Sequence, residues 1–526
     1  AAHIQGRLGG TARGPHVVLY YPAGWPRARA DDILWDAEFA YAELESFFGF
    51  GTSRPPQIYA YPSHAVKKRL MGARRTNVAK PWQWTAHLND PHVGDPVTVH
   101  ELAHVFSAEI SDAPHHLSLF HGILPHMPLI EGLAEAATWE RGRLDAHRWS
   151  AALRRIGKAP PLAEVLAPVG FYTKFNRLAY TLMGSFTRYY RETEGAEALA
   201  AAYRAGRFDL GGRDAATLEA AWGAYVDALP LPPGALHDAE ARFDRPAIFA
   251  KVCAREMAAL RQGLGRALAR GDLVGSLAAA DRMTGHVVGD VSARLARVHV
   301  LFTMQRVDAA GAEAAAIAAD ARAGAAGRFA AREWQADLAA LAGDADGAVA
   351  GYRALLGEAF ERGDLRRLFV KADSLAHGEA GRAVRALLRA PPGADDAWAT
   401  QLFETIGGAS DWPLARYLVA RRALGRDQVA EGVAGLTGLE ATLTDPSLRL
   451  EAARLLAEAL LRGGCRAEAA ARYEAVANRD DLELTAAERH DLRRWARRAR
   501  FFEAHAPRAC EVDITAPPPK DARPLE

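Results

Sequence analysis

The sequence predicts an α+β domain over residues 1–235 followed by an all-α array of paired helices. Three observations carry this division. Runs of β-branched and aromatic residues fall in the first part of the chain, interleaved with helical periodicities. The cluster Leu229-Pro230-Leu231-Pro232-Pro233-Gly234 then breaks any regular element. Beyond it the composition turns to Ala, Leu, Arg and Glu, and glycine-containing turns recur between helical stretches.

A glycine-rich lead from Gly6 to Gly14 precedes a first strand, His16 to Tyr21, which stops at Pro22. Asp31 to Phe48 has helical spacing, with Ile33, Leu34, Ala37, Phe39, Ala40, Leu44 and Phe47 apolar and Asp31 or Asp32 as its cap. A second strand, Gln57 to Tyr61, ends at Pro62, and Trp82 to Leu88 reads as a third. Gly94-Asp95-Pro96 then offers an N-cap followed by proline at the first helical position. Val97, Val99, Leu102, Val105 and Phe106 supply the apolar body of that helix. Two further helical stretches follow, Pro128 to Glu140 and Leu178 to Tyr190.

Inside the Asp95-capped helix lies His100-Glu101-Leu102-Ala103-His104, an HExxH motif. Histidines four apart stand one turn up the same helical face, so both rings reach one metal ion while Glu101 faces the water on it. Catalytic zinc takes three protein ligands and keeps a position for water, so a third ligand must come from elsewhere. The metzincin extension is excluded, because Ser107 and Ile110 stand where its Gly and His would be. By residue type alone, His115, His116, His121 and His126 compete with Glu131 for the third place. The loop that bears these histidines also reads simply as a polar connection.

With Glu131, Gly132, Ala134 and Glu135 in the sequence PLIEGLAEAATWE, the chain resembles the gluzincin metallopeptidases over roughly residues 15 to 230. The resemblance implies a zincin-like α+β fold, one Zn2+ per chain and hydrolysis of a peptide or protein substrate. It implies His100, His104 and Glu131 as ligands, Glu101 as general base, and Glu135 as the acidic partner that orients a ligand histidine. Gly132 would let its helix approach a neighbour closely. The 26 residues between His104 and Glu131 are near the span of thermolysin-like relatives. The aminopeptidase GxMEN motif is absent. The stretch Tyr180 to Phe186 is similar to the family's YxxxGSF-like helix, which makes Tyr180 the first candidate for oxyanion stabilisation and Tyr172 the second. The strand before the HExxH helix, Trp84 to Leu88, would edge the cleft and pair with extended substrate.

Residues 245–506 repeat a helix, Gly-turn, helix pattern. Gly343, Ala348 and Tyr352 recur as Gly464, Ala469 and Tyr473, and related turns stand at Gly271-Asp272, Gly363-Asp364 and Gly425-Arg426. This resembles a tetratricopeptide-like (TPR-like) α-solenoid, which implies either a support for the first domain or a face for a protein partner. Residues 507–526 lack periodicity and read as an extended or disordered tail.

A net charge of +1 gives no global field for nucleic acid or anionic membrane. No apolar run is long enough to span a bilayer. Cys253, Cys465 and Cys510 are widely spaced and read as separate thiols rather than a disulfide or metal framework. The chain starts without Met, which gives a lean towards an extracytoplasmic place. Two functions follow as expectations. One is a zinc metallopeptidase with a helical appendage; the other is a catalytically inactive zinc-binding scaffold whose solenoid mediates protein–protein interaction. Retention of Glu101 separates them, since a structural site has no need of a base.

Overall fold

The computed structural model describes residues 1–139, 142–167, 169–173, 176–209, 213–243, 254–287, 289–390 and 396–512. The chain forms two compact units, one of Ala1–Leu231 with Thr485–Arg508 and one of Pro232–Leu484 with Ala509–Glu526. The sequence reading placed residues up to 506 in the repeat array, whereas the helix Ala486–His505 packs in the first unit.

The first unit opens with α1 (Ala2–Leu8), β1 (Gly9–Arg13), β2 (Val18–Pro22), α2 (Arg27–Phe48), β3 (Gln57–Tyr61), α3 (His64–Met71), β4 (Val78–Lys80) and β5 (Thr85–Asn89). The five strands make one sheet in the order β1-β2-β3-β5-β4, parallel across β2, β3 and β5 and antiparallel at both edges. Alternation sorts its faces. Leu19, Ile58 and Ala86 align across the parallel strands and are fully buried on one side. Tyr20, Tyr59 and His87 align on the other and stack ring on ring. The glycine-rich lead is thus a helix and an edge strand, made possible by Gly9 at φ 80. The expected cap of α2 is also corrected. The helix starts at Arg27 after Pro26, and Asp31 and Asp32 lie inside it.

Next come α4 (Pro96–Phe106), the short hairpin β6 (Leu119–Phe120) and β7 (Leu124–Pro125), α5 (Met127–Thr138), α6 (Ala146–Arg155), α7 (Leu162–Leu166), α8 (Gly170–Thr173), α9 (Asn176–Glu194), α10 (Ala196–Ala205) and α11 (Ala215–Asp227). Asp95 caps α4 by accepting from the Val97 N–H at 2.9 Å. Helices α5 and α9 lie closely against each other, and two glycines allow it. A Cβ at Gly132 would stand 2.7 Å from Thr187 Oγ1, and one at Gly184 2.8 Å from Glu135 Cβ.

The helix Ala486–His505 lies on α2. Arg498 pairs with Asp36 at 2.7 Å with both side chains buried, Arg494 grips Glu43, and Phe501 meets Phe39. Its start is fixed by a capping box of Thr485 and Glu488.

The second unit is a run of helical hairpins, among them Ala254–Ala269 with Leu273–His286, Val291–Thr303 with Val307–Ala319, Gly324–Ala342 with Ala345–Glu358 and Pro446–Arg462 with Arg466–Ala477. Two turns share one chemistry. Gly271 and Gly343 have φ of 70 and 89, and the Asp that follows each caps the next helix by accepting from the N–H of Gly275 or Gly347. Gly363-Asp364 is not such a turn, because both residues sit in the first turn of the helix Arg362–Asp373. At Gly425-Arg426 the left-handed residue is instead Asp427.

Cys465 and Cys510 form a disulfide, which corrects the reading of separate thiols. Linear spacing concealed it, since the helix Ala486–His505 intervenes before the chain returns to place the two Cα atoms 4.3 Å apart. Glu511 N–H also donates to Gly463 O, so the start of the expected tail is tied down. The remainder of that tail, 513–526, and Cys253 lie outside the described residues.

Candidate metal centre

Helix α4 runs beneath the sheet edge and presents two imidazoles from one face; α5 crosses it and adds a carboxylate. His100 Nε2 and His104 Nε2 stand 3.3 Å apart, and Glu131 Oε2 lies 3.3 Å from the first and 3.7 Å from the second. Zinc bonds of about 2.0–2.2 Å in tetrahedral geometry place neighbouring ligand atoms roughly 3.3–3.6 Å apart, so the spacing of these three atoms suits one ion. Among the described residues this trio alone meets the spacing of a cation site.

A second carboxylate, Glu135, stands one helical turn after Glu131 and meets His100 Nδ1 at 3.2 Å. His100 thus has a carboxylate on each ring nitrogen. Although burial opposes its charge, the hydrogen bonds to Glu131 and Glu135 raise its pKa to about 9. His104 lacks that second partner. Burial dominates there, and its pKa falls to about 4.

Glu101 is not one of the three convergent ligand residues and is 7% exposed. Burial pushes its pKa up to about 7, against the pull of His100, Lys67 and a hydrogen bond from the Ala79 N–H. Tyr180 on α9 hydrogen-bonds Glu131, and burial holds its hydroxyl in the protonated form. Tyr172 on α8 is 47% exposed, and the Glu131 charge reaches it.

The other histidines have different employment. His126 caps α5 by accepting from the Leu129 N–H, and it stacks on Phe120. The His116 ring reaches the carbonyls of Ala108 and Ser111, while His115 meets Trp82 and His121 meets Phe120 edge-on. None joins the donor trio.

The strand expected to edge the cleft is corrected. Trp84 ends a 3-10 turn at φ 52, and β5 is an inner strand flanked by β3 and β4. The free edge next to α4 is β4, and Ala79 on it reaches Glu101. Sequence reasoning missed β4 because three residues, Val78-Ala79-Lys80, carry too little alternation to register. It also missed Lys67, which looks like its exposed neighbours Lys68 and Arg69 until the fold buries it.

No protein-family model matches the chain, and no curated protein does. One solved structure is similar in part: the crystal structure of the TPR domain of P58(IPK), at 13% identity over 79% of this chain and 96% of that one, with a TM-score of 0.21. That overlap is too low to argue a fold from. The helical repeats described above therefore stand on their own hairpins.

Proposed function

We propose that the first unit is a zinc-dependent metallopeptidase of gluzincin type. The observation that carries this reading is the division of the carboxylates: Glu131 completes a trio with His100 and His104, whereas Glu101, next to the first ligand, is not part of it and has the Ala79 N–H beside it. His100, His104 and Glu131 would hold the zinc, which supplies a Lewis acid that makes water nucleophilic at neutral pH. Glu101 takes the proton of the attacking water and delivers it to the leaving amine, a task suited to a carboxylate whose burial lifts its pKa to about 7. Glu135 holds the His100 ring in place through Nδ1. Tyr180 is engaged with Glu131 and so serves to orient a ligand, which leaves the more exposed Tyr172 as the hydroxyl for the oxyanion.

The experiment is cleavage of a mixed peptide library by the zinc-loaded chain and by Glu101→Gln. The variant should keep its zinc and lose hydrolysis by ~10²–10⁴. Retention of full activity by Glu101→Gln would sink the reading.

A second reading, a scaffold whose repeats hold a protein partner, is favoured by a cleft of about 250 Å³ in the second unit, lined in part by His299, Trp334, Leu388 and Arg389. The two readings part at hydrolysis: in the scaffold reading the first unit holds zinc but is catalytically inactive, so Glu101 has no proton to move. The disulfide accords with an oxidising, extracytoplasmic compartment. Among the described residues no helix is long and apolar enough to cross a membrane.

A further inference from the structure

Lys67 is out of keeping with its helix. Its neighbours on α3, Lys68 and Arg69, point into solvent, while Lys67 is fully buried. A buried ammonium is costly unless it is paired and its donors are used. Here no carboxylate among the described residues lies within ion-pair distance, and the charge that bears on it is that of Glu101. Its N–H groups go to two backbone carbonyls, Thr76 O at 2.6 Å and His87 O at 2.9 Å.

Those carbonyls belong to the two arms of the edge hairpin. Thr76 leads into β4, and His87 is the β5 residue paired with Val78, the first residue of β4. The next residue along β4 is Ala79; β4 lies against α4, and the Ala79 N–H stands close enough to the Glu101 carboxylate to favour its charged form. A strand of three residues at a sheet edge has few bonds of its own to fix its position. Asn89 ties one end of it, donating to Asn77 Oδ1 and Arg75 O, and the ammonium adds an anchor that bridges both arms.

We propose that Lys67 is a positioning residue for the hydrolysis: it staples the edge hairpin at the Val78–His87 pair and so holds the Ala79 N–H against Glu101. The effect on rate rests on the function proposed above; the staple rests on geometry alone. Glu101 would otherwise be free to swing towards the ligand trio or away from the attacking water.

The test uses the full zinc-loaded chain with Lys67→Met, which keeps the apolar stem, and Ala79→Pro, which removes the N–H at an edge position where proline is tolerated. In Lys67→Met, amide hydrogens over residues 76–89 should exchange at least ~10-fold faster. Zinc content should be unchanged, and kcat should fall by roughly 10–100-fold with a smaller change in KM. Ala79→Pro should lower kcat similarly, and the double variant should fall little further, because both changes cut one link. If Met does not fold, Lys67→Gln, which keeps a donor and loses reach and charge, is measured in its place. Parent-like exchange over 76–89, parent-like kcat in either single variant, or losses that multiply in the double variant would overturn the proposal. Were the parent to cleave no peptide, the hydrolytic reading would fail, and the exchange measurement would still decide the staple.

Discussion

Each unit buries a cluster of charges, and the two are built on opposite plans. In the second unit, Glu333 and Asp337 on one helix face Arg367 and Lys371 on another: Lys371 Nζ meets both carboxylates at 2.7 Å, Arg367 takes Glu333 in a two-pronged pair, and Tyr352 donates to Asp337. Each acid has its base. Although burial opposes ionisation, the partners hold Glu333 down at about 2. In the first unit, Glu131 and Glu135 meet two histidines while Glu101 feels the charge of Lys67 without an ion pair, and the shifts scatter: Glu101 rises to about 7, His104 drops to about 4, His100 climbs to about 9. A balanced ladder satisfies itself and is a structural device. A cluster with excess carboxylate and convergent imidazoles has the donor set that the proposed zinc would need.

That contrast can be broken at either cluster. The largest effect on stability belongs to the ladder. Lys371→Met leaves Glu333 and Asp337 buried without their shared cation and should destabilise the second unit by about 3–5 kcal/mol, read by denaturant unfolding. A loss within experimental error would mean that the ladder is not the structural element described here. Next in size is Glu135→Gln, which leaves the donor trio intact but weakens the hold on His100. Zinc affinity, measured by competition with a chelator, should fall by roughly 10–100-fold, with little change in unfolding. The smallest effect is acidic. Glu333 has a folded pKa of about 2 against 4.5 for the free side chain, so its stabilisation is complete above 4.5 and is lost as pH falls towards 2. Melting temperature in the parent should therefore decline across that window, and Glu333→Gln should show a shallower decline.

Much of the candidate site was legible because its signals are local. The Asp95-Pro96 start of α4, the histidines four apart and the glutamates four apart on α5 each follow from helix geometry, and Gln57–Tyr61 emerges with the bounds that its β-branched and aromatic run before Pro62 suggests. What escaped depends on contacts between distant residues. The helix Ala486–His505 has ordinary helical chemistry, and only the pairing of Arg498 with Asp36 and Arg494 with Glu43 assigns it to the first unit. Cys465 and Cys510 meet only after that helix has intervened. Gly363-Asp364 shows the same pair of residue types as two true turns, yet it lacks the capped glycine three residues on that stands at Gly275 and Gly347. The edge strand was misplaced because strand position in a sheet is set by pairing, which a run of residue types does not encode.

The central claim is that His100, His104 and Glu131 make a cation site while the similarly charged ladder does not. Metal content of the purified chain after zinc loading and gel filtration tests it most directly. The account predicts about one zinc per chain, lost in His100→Ala/His104→Ala, weakened in Glu131→Gln and untouched in Glu333→Gln. Full zinc in the double histidine variant, or none in the parent, would contradict it.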